Sequence, residues 1–133
     1  MNRFTDRVVL ITGGGSGLGR ATAVRLASEG AKLSLVDVSE AGLAATVEAV
    51  TAAAPEAEVL TLIADVSKEE DVDRYVADTV ARFGRIDGFF NNAGIEGRQN
   101  LTEDFSAAEF DKVVAINLRV VFLGLEKVLK VMH

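Results

Sequence analysis

One run, Leu10-Ile11-Thr12-Gly13-Gly14-Gly15-Ser16-Gly17-Leu18-Gly19, constrains this chain more than any other stretch. It joins an apolar, β-branched segment to a helix-forming one through a turn nearly stripped of side chains, and a strand feeding a helix through so short a link opens a βαβ unit. Gly13 lets the chain turn sharply off the strand, Gly17 lets the backbone come close to a diphosphate, and Gly19 lets the new helix pack against the sheet. The helix start over Ser16, Gly17, Leu18 and Gly19 carries N–H groups with no carbonyl one turn earlier, so they are free to hold an anion. Read alone, the glycines would also suit a flexible loop or a helix cap.

The alternation continues. The β-branched runs Arg7–Thr12, Lys32–Asp37, Glu58–Ala64 and Ile86–Asn91 predict strands, and the stretches Gly17–Glu29, Glu40–Ala54 and Lys68–Phe83 predict helices. Pro55 stops the second helix and Gly84 closes the third. Two capping-box patterns, Ser67-Lys68-Glu69-Glu70 and Ser106-Ala107-Ala108-Glu109, start the third helix and a last one running toward His133. The expected fold class is α/β, a Rossmann-like doubly wound parallel sheet in its first half, with strand order 3-2-1-4 and helices on both faces. A single domain spans residues 1–133, without repeats or an interdomain linker.

With 133 residues, 49% of them hydrophobic, the chain can bury one core. Its formal net charge of -6, with Lys and Arg scattered, argues against a nucleic-acid surface. There is no cysteine, which removes disulfides, a thiolate nucleophile and a Cys-based zinc site, and fits a reducing cytoplasm. No metal site is read. The N-terminus lacks an apolar signal core, and Asn117 and Arg119 interrupt the apolar stretch from Val113 to Leu125, so neither secretion nor a membrane span is expected.

Asp37 ends the second strand, eighteen positions beyond Gly19. A carboxylate there accepts hydrogen bonds from the adenine ribose hydroxyls and repels a 2′-phosphate, and neither Ser16 nor Val38 supplies an offsetting cation, so NAD is the expected cofactor. The alternative role for Asp37 is to cap the following helix, a task for which Ser39 is better suited.

The spacing Thr-Gly-x-x-x-Gly-x-Gly over residues 12–19, which differs from G-x-G-x-x-G at every register, is followed after the fourth strand by Asn91-Asn92-Ala93-Gly94. In both motifs, and over nearly its whole length, the chain resembles the short-chain dehydrogenases/reductases. The run Arg85 to Gly97 resembles most their bacterial NAD-dependent members that act on cyclic ketones and alcohols. The resemblance implies an oxidoreductase that moves a hydride between NAD(H) and a secondary alcohol or ketone. It implies that Asp65 and the Val66 amide hold the adenine, and that Asn91, Ala93 and Gly94 line the nucleoside. Without it, Asp65 would be a loop residue or a cap, and the Asn-Gly motif a β-turn.

The resemblance further implies a catalytic role for Asn117, whose counterpart holds a water in a proton relay. From the residues alone Asn117, an amide expected to be buried in an apolar helix, could cap a frayed turn or bond a loop. The family's general acid is a Tyr with a Lys four positions on, helped by a Ser. Here the single tyrosine, Tyr75, is followed by Thr79 and reads as a packing residue. The Ser, Tyr and Lys are therefore expected beyond His133, itself read as a solvated helix end, and residues 1–133 alone are expected to be inactive. Without them, a non-catalytic dinucleotide-binding or redox-sensing module is the second reading, and a structural α/β interaction domain the third.

The last helix, 106–132, has few polar faces, with Val113, Val114, Ile116, Leu118, Val120, Val121, Phe122, Leu123, Leu125, Val128 and Leu129 along it. Such a helix wants burial on two sides: one on the sheet, the other against a second subunit of a homo-oligomer, dimer or tetramer, or beneath further chain.

Overall fold

The computed structural model describes residues 2–93 and 106–132. In chain order they form β1 (Val8–Thr12), α1 (Gly17–Ser28), β2 (Lys32–Asp37), α2 (Glu40–Ala53), β3 (Val59–Ile63), α3 (Glu69–Phe83), β4 (Gly88–Asn91), α4 (Ala107–Val114), a π-helical turn (Ala115–Arg119) and α5 (Val120–Met132). The four strands make one parallel sheet in the order β3-β2-β1-β4, as the sequence predicts. Strand and helix ends differ from the expected ones by one or two residues, where terminal turns fray. Among the described residues no helix is long and apolar enough to cross a membrane.

Alternation along the strands divides the core in two. Val9 and Ile11 of β1, with Leu33 and Leu35 of β2, meet α1 and α2 through Ala23, Ala27, Leu43 and Val50. Leu10 and Val36 face the other way, onto Val72, Tyr75 and Val76 of α3 and Leu123 and Val128 of α5. A polar pair in this second layer is internally satisfied: the Thr79 hydroxyl donates to the Tyr75 carbonyl at 2.7 Å and accepts, also at 2.7 Å, from Ser34.

The two capping boxes fare differently. At the last helix, Ser106 Oγ accepts the Glu109 N–H at 3.1 Å, as expected. At α3 the cap position falls to Lys68, which makes no side-chain cap bond. Ser67 is diverted, because its N–H and hydroxyl both donate to Asp65 Oδ1, at 2.9 and 2.6 Å. A carboxylate two residues earlier is the stronger local acceptor. The last helix also departs from the expected unbroken one, since the π turn at 115–119 divides it.

Candidate functional site

Between β1 and β4 the connections leave the sheet in opposite directions, and the glycine turn after β1 and Asn92-Ala93 after β4 stand side by side at the carboxyl edge, the place where open parallel sheets take ligands. Gly13 has φ +69° and Gly17 φ +52°, both in the left-handed region that glycine enters at little cost. A Cβ on Gly17 would meet nothing within 4 Å, so its backbone borders open space, whereas one on Gly19 would overlap the Gly13 carbonyl. Gly19 thus lets the start of α1 pack directly on the chain leaving β1 and on Asn92 after β4. Leu18, at the helix start, is 72% exposed.

What the sequence did not reveal is where the loop's carbonyls go. Gly14 O accepts the Thr46 hydroxyl of α2 at 2.7 Å, Gly15 O accepts the Arg20 guanidinium of α1 at 2.5 Å, and Gly13 O accepts the Asn92 amide at 3.4 Å. Arg20 Nε also donates to Thr46 Oγ1 at 3.0 Å. No spacing rule marks Arg20 and Thr46, which lie on different helices. The clue available was a polar Thr in the otherwise apolar Ala-rich face of α2.

Thr12, buried at the end of β1, joins the two segments. Its hydroxyl oxygen accepts the N–H groups of Asn92 and Ala93, each at 3.1 Å. Asn91 Nδ2 donates to the Val121 carbonyl at 3.0 Å, so it ties β4 to the start of α5. Both asparagines therefore bond main-chain groups, and Asn91 Oδ1 also accepts from the Thr12 hydroxyl of β1 at 3.4 Å. Gly94 lies outside the described residues, as do Ile95 to Gly97 and His133.

Asp37 stands beside the glycine turn. Its Oδ2 accepts the Gly15 N–H at 2.9 Å, Oδ1 accepts the Ser39 N–H at 3.0 Å, and Ser39 itself caps α2 by accepting from Gly42 N at 2.9 Å. Asp65 lies past β3, its backbone N–H held by Asp71 Oδ2 at 2.8 Å. The Ser67 hydroxyl, then its N–H, hold the Asp65 carboxyl below the usual carboxylate range, against its own desolvation. Val66 is half-buried against the core. Arg119, from the π turn, donates to the Ser67 carbonyl at 2.7 Å and braces this loop.

Asn117 sits on the π turn and is exposed, not buried as expected. A π turn inserts an extra residue into the helical repeat, which shifts the apolar face around it, and such turns recur at functional sites. Tyr75 is 1% exposed, and burial pushes its hydroxyl up to about 12. It is a packing residue. At the opposite end of the strands a groove of about 520 Å³ runs beside Ser28, Ala53 and Pro55. The helix C-termini that meet there repel an anion.

A family model described as short chain dehydrogenase matches residues 7–133. Levodione reductase of Leifsonia aquatica is 78% identical over 98% of this chain and 49% of its own length. The crystal structure of levodione reductase superposes with a TM-score of 0.96 at 78% identity, over 98% of this chain and 50% of that one. NAD+-bound xylitol dehydrogenase gives 0.92 at 35% identity, over 97% and 49%. The chain spans about half the length of the relatives it matches.

Proposed function

We propose, from the premise that this chain belongs to the short-chain dehydrogenase family, that it is the cofactor-binding part of an NAD(H)-dependent oxidoreductase acting on a secondary alcohol or ketone. The observation that carries this reading is the glycine turn. Its carbonyls are drawn onto Thr46, Arg20 and Asn92, and open space borders Gly17 beside the start of α1. An anionic diphosphate needs N–H groups and room, and both are present there.

Bound NAD(H) would supply the hydride. The chain's own residues bind and orient it. The helix start at Ser16, Gly17, Leu18 and Gly19 holds the diphosphate, while Gly13 turns the chain clear of it. Asp37 accepts from the ribose hydroxyls while keeping its bonds to Gly15 and Ser39, so a 2′-phosphate would face a carboxylate already committed to the loop. Asp65, whose carboxyl Ser67 holds below the usual range, accepts from the adenine amino group, and the Val66 amide meets the ring. Asn91, Ala93 and Gly94 line the nucleoside. Asn117 positions a relay water, and the Tyr, Lys and Ser of the chemistry lie C-terminal to residue 133. The likeness to a levodione reductase supports a ketone substrate. We place the protein in the cytoplasm as a homo-oligomer in which a second copy covers α5.

Fluorescence titration of the full-length protein with NADH and NADPH tests the reading. NADH is expected to bind the tighter, and a cyclic ketone to be reduced at its expense. Failure to bind either nucleotide would overturn the assignment. Binding without turnover on any ketone or alcohol would favour the non-catalytic dinucleotide-binding module.

A further inference from the structure

We infer that Arg20 is the positioning residue that aims the anion-binding N–H groups of the glycine turn, with Thr46 as its support. The inference rests on the dinucleotide reading above and adds residues to the same site. A peptide unit with glycine on one or both sides is inverted more easily than one between larger residues, because glycine adds little torsional penalty of its own. Inversion would swing a carbonyl toward the diphosphate and withdraw an N–H from it. The glycines that admit the ligand therefore leave the loop prone to a state that repels it, and something must hold the other state.

Three consecutive peptide units show what does. The Gly13–Gly14 unit is pinned at both ends, its carbonyl on Asn92 and its N–H on the Val36 carbonyl at 3.0 Å. The Gly14–Gly15 unit is pinned too, its carbonyl on Thr46 and its N–H on Asp37 Oδ2. The Gly15–Ser16 unit is held through its carbonyl alone, by Arg20 Nη2 at 2.5 Å. In a trans peptide the N–H points opposite to the C=O, so this bond directs the Ser16 N–H away from α1 and α2. The next carbonyl, Ser16 O, accepts the backbone N–H of the same Arg20 at 3.1 Å, which fixes the Gly17 N–H in like manner. That second bond is the first backbone bond of α1, so the guanidinium itself orients the Ser16 donor, and it is kept in place by Thr46 Oγ1 at 3.0 Å and Gly42 O at 3.4 Å. Thr46 is fully buried, so the clamp is anchored in the core between α1 and α2.

A guanidinium does this where an ammonium cannot, because separate N–H groups of one planar fork reach Gly15, Thr46 and Gly42 together. The charge also attracts a diphosphate from a distance, and the test must separate that attraction from the orientation of the loop. Thr46→Val removes the hydroxyl at constant charge and shape, and Thr46→Ser restores it.

The experiment compares ADP-ribose with adenosine by calorimetric titration of the full-length protein and its variants. Arg20→Met is expected to weaken ADP-ribose roughly tenfold or more, the scale of one charged hydrogen bond, and to leave adenosine within about twofold. Arg20→Lys should recover only part of the loss. Thr46→Val should also weaken ADP-ribose selectively, and Thr46→Ser should bring it back. Wild-type affinity for ADP-ribose in Arg20→Met or Thr46→Val overturns the inference, as does full recovery in Arg20→Lys, which would leave charge alone as the cause. Equal losses for both ligands would also overturn it, by pointing to a purely structural role. If the wild-type protein binds neither NADH nor ADP-ribose, the dinucleotide reading itself fails, a result distinct from any of these.

Discussion

The carboxylate of Asp37 reaches across from the end of β2 to take the Gly15 N–H on Oδ2 at 2.9 Å, so the residue proposed to select the cofactor also shapes the loop that holds it. Replacing it therefore has two consequences that separate by ligand. Asp37→Ala leaves the Gly15 N–H without this acceptor, a loss shared by NADH and NADPH, and also removes the ribose bonds from NADH and the repulsion from NADPH, so NADH should weaken the more. Combined with Val38→Arg, at a position 68% exposed beside it, it removes the repulsion and adds a cation for the 2′-phosphate. The ratio of NADPH to NADH affinity should then rise at least about tenfold, a modest electrostatic difference near a protein surface. An unchanged ratio by competitive titration would contradict the ribose assignment.

Gly17 and Gly19, two residues apart, should respond differently to one added methyl group. At Gly17 the φ of +52° imposes about 1–2 kcal/mol on an alanine, but the methyl group enters open space. Gly17→Ala should therefore fold with a modestly lowered Tm and lose NADH affinity by roughly tenfold or more, the effect of an extra methyl group in a fitted site. Gly17→Val adds strain at a β-branched residue and is the poorer probe. At Gly19 the methyl group would overlap the Gly13 carbonyl, which is backbone and cannot rotate aside. Gly19→Ala should cost stability directly, at least the ~1–3 kcal/mol of an overpacked site. Thermal denaturation beside NADH titration checks both, and equal behaviour of the two variants would refute this division of roles.

The parts of the site legible in the sequence were those fixed by local chemistry. The glycine spacing, the acid at the end of β2 and the Asn-Asn-Ala-Gly run each state their requirement within a few residues. Strand order followed from reading the alternation of β-branched runs and helices as the first half of a Rossmann-like sheet. The bracing was not legible, because it depends on registers that only the folded sheet sets. Thr12 meets Ala93 because β1 and β4 run side by side with Thr12 opposite Asn91. Arg20 meets Thr46 because α1 and α2 share one face of the sheet. Ser67 looked like a cap until the geometry gave Asp65 first claim on it, and the π turn at 115–119 has no residue signature that periodicity detects.

At the far end of α1, Glu29 is 2% exposed and accepts from both Arg3 and Arg25, the latter at 2.8 Å. The Arg3 hydrogen bond, then that of Arg25, hold its carboxyl down at about 2, against about 4.5 without them. A depressed folded-state value means that this carboxylate stabilises the fold above pH 4.5 and that the contribution fades as the pH falls toward 2. Glu29→Gln should lower the urea midpoint at pH 7 and flatten its decline between pH 4.5 and 2. A variant whose acid limb is as steep as the wild type's would show that Glu29 is not the group responsible.

Along α5 and the turn before it, Leu118, Phe122, Leu125 and Leu129 stand exposed at spacings of four, three and four, a single stripe on the side away from the sheet. The expected occupant is a second copy, with further chain of the same molecule as the alternative. Burial of each such side chain contributes about 1.5–3 kcal/mol, and a two-fold contact counts it twice. Phe122→Glu should therefore weaken self-association by roughly a hundredfold or more while leaving the monomer folded. Sedimentation velocity over a range of concentrations reads the first effect, and circular dichroism the second. If the variant keeps the wild-type sedimentation profile but melts at a lower temperature independent of concentration, the stripe is covered within one molecule, and the proposed second copy is excluded from this face.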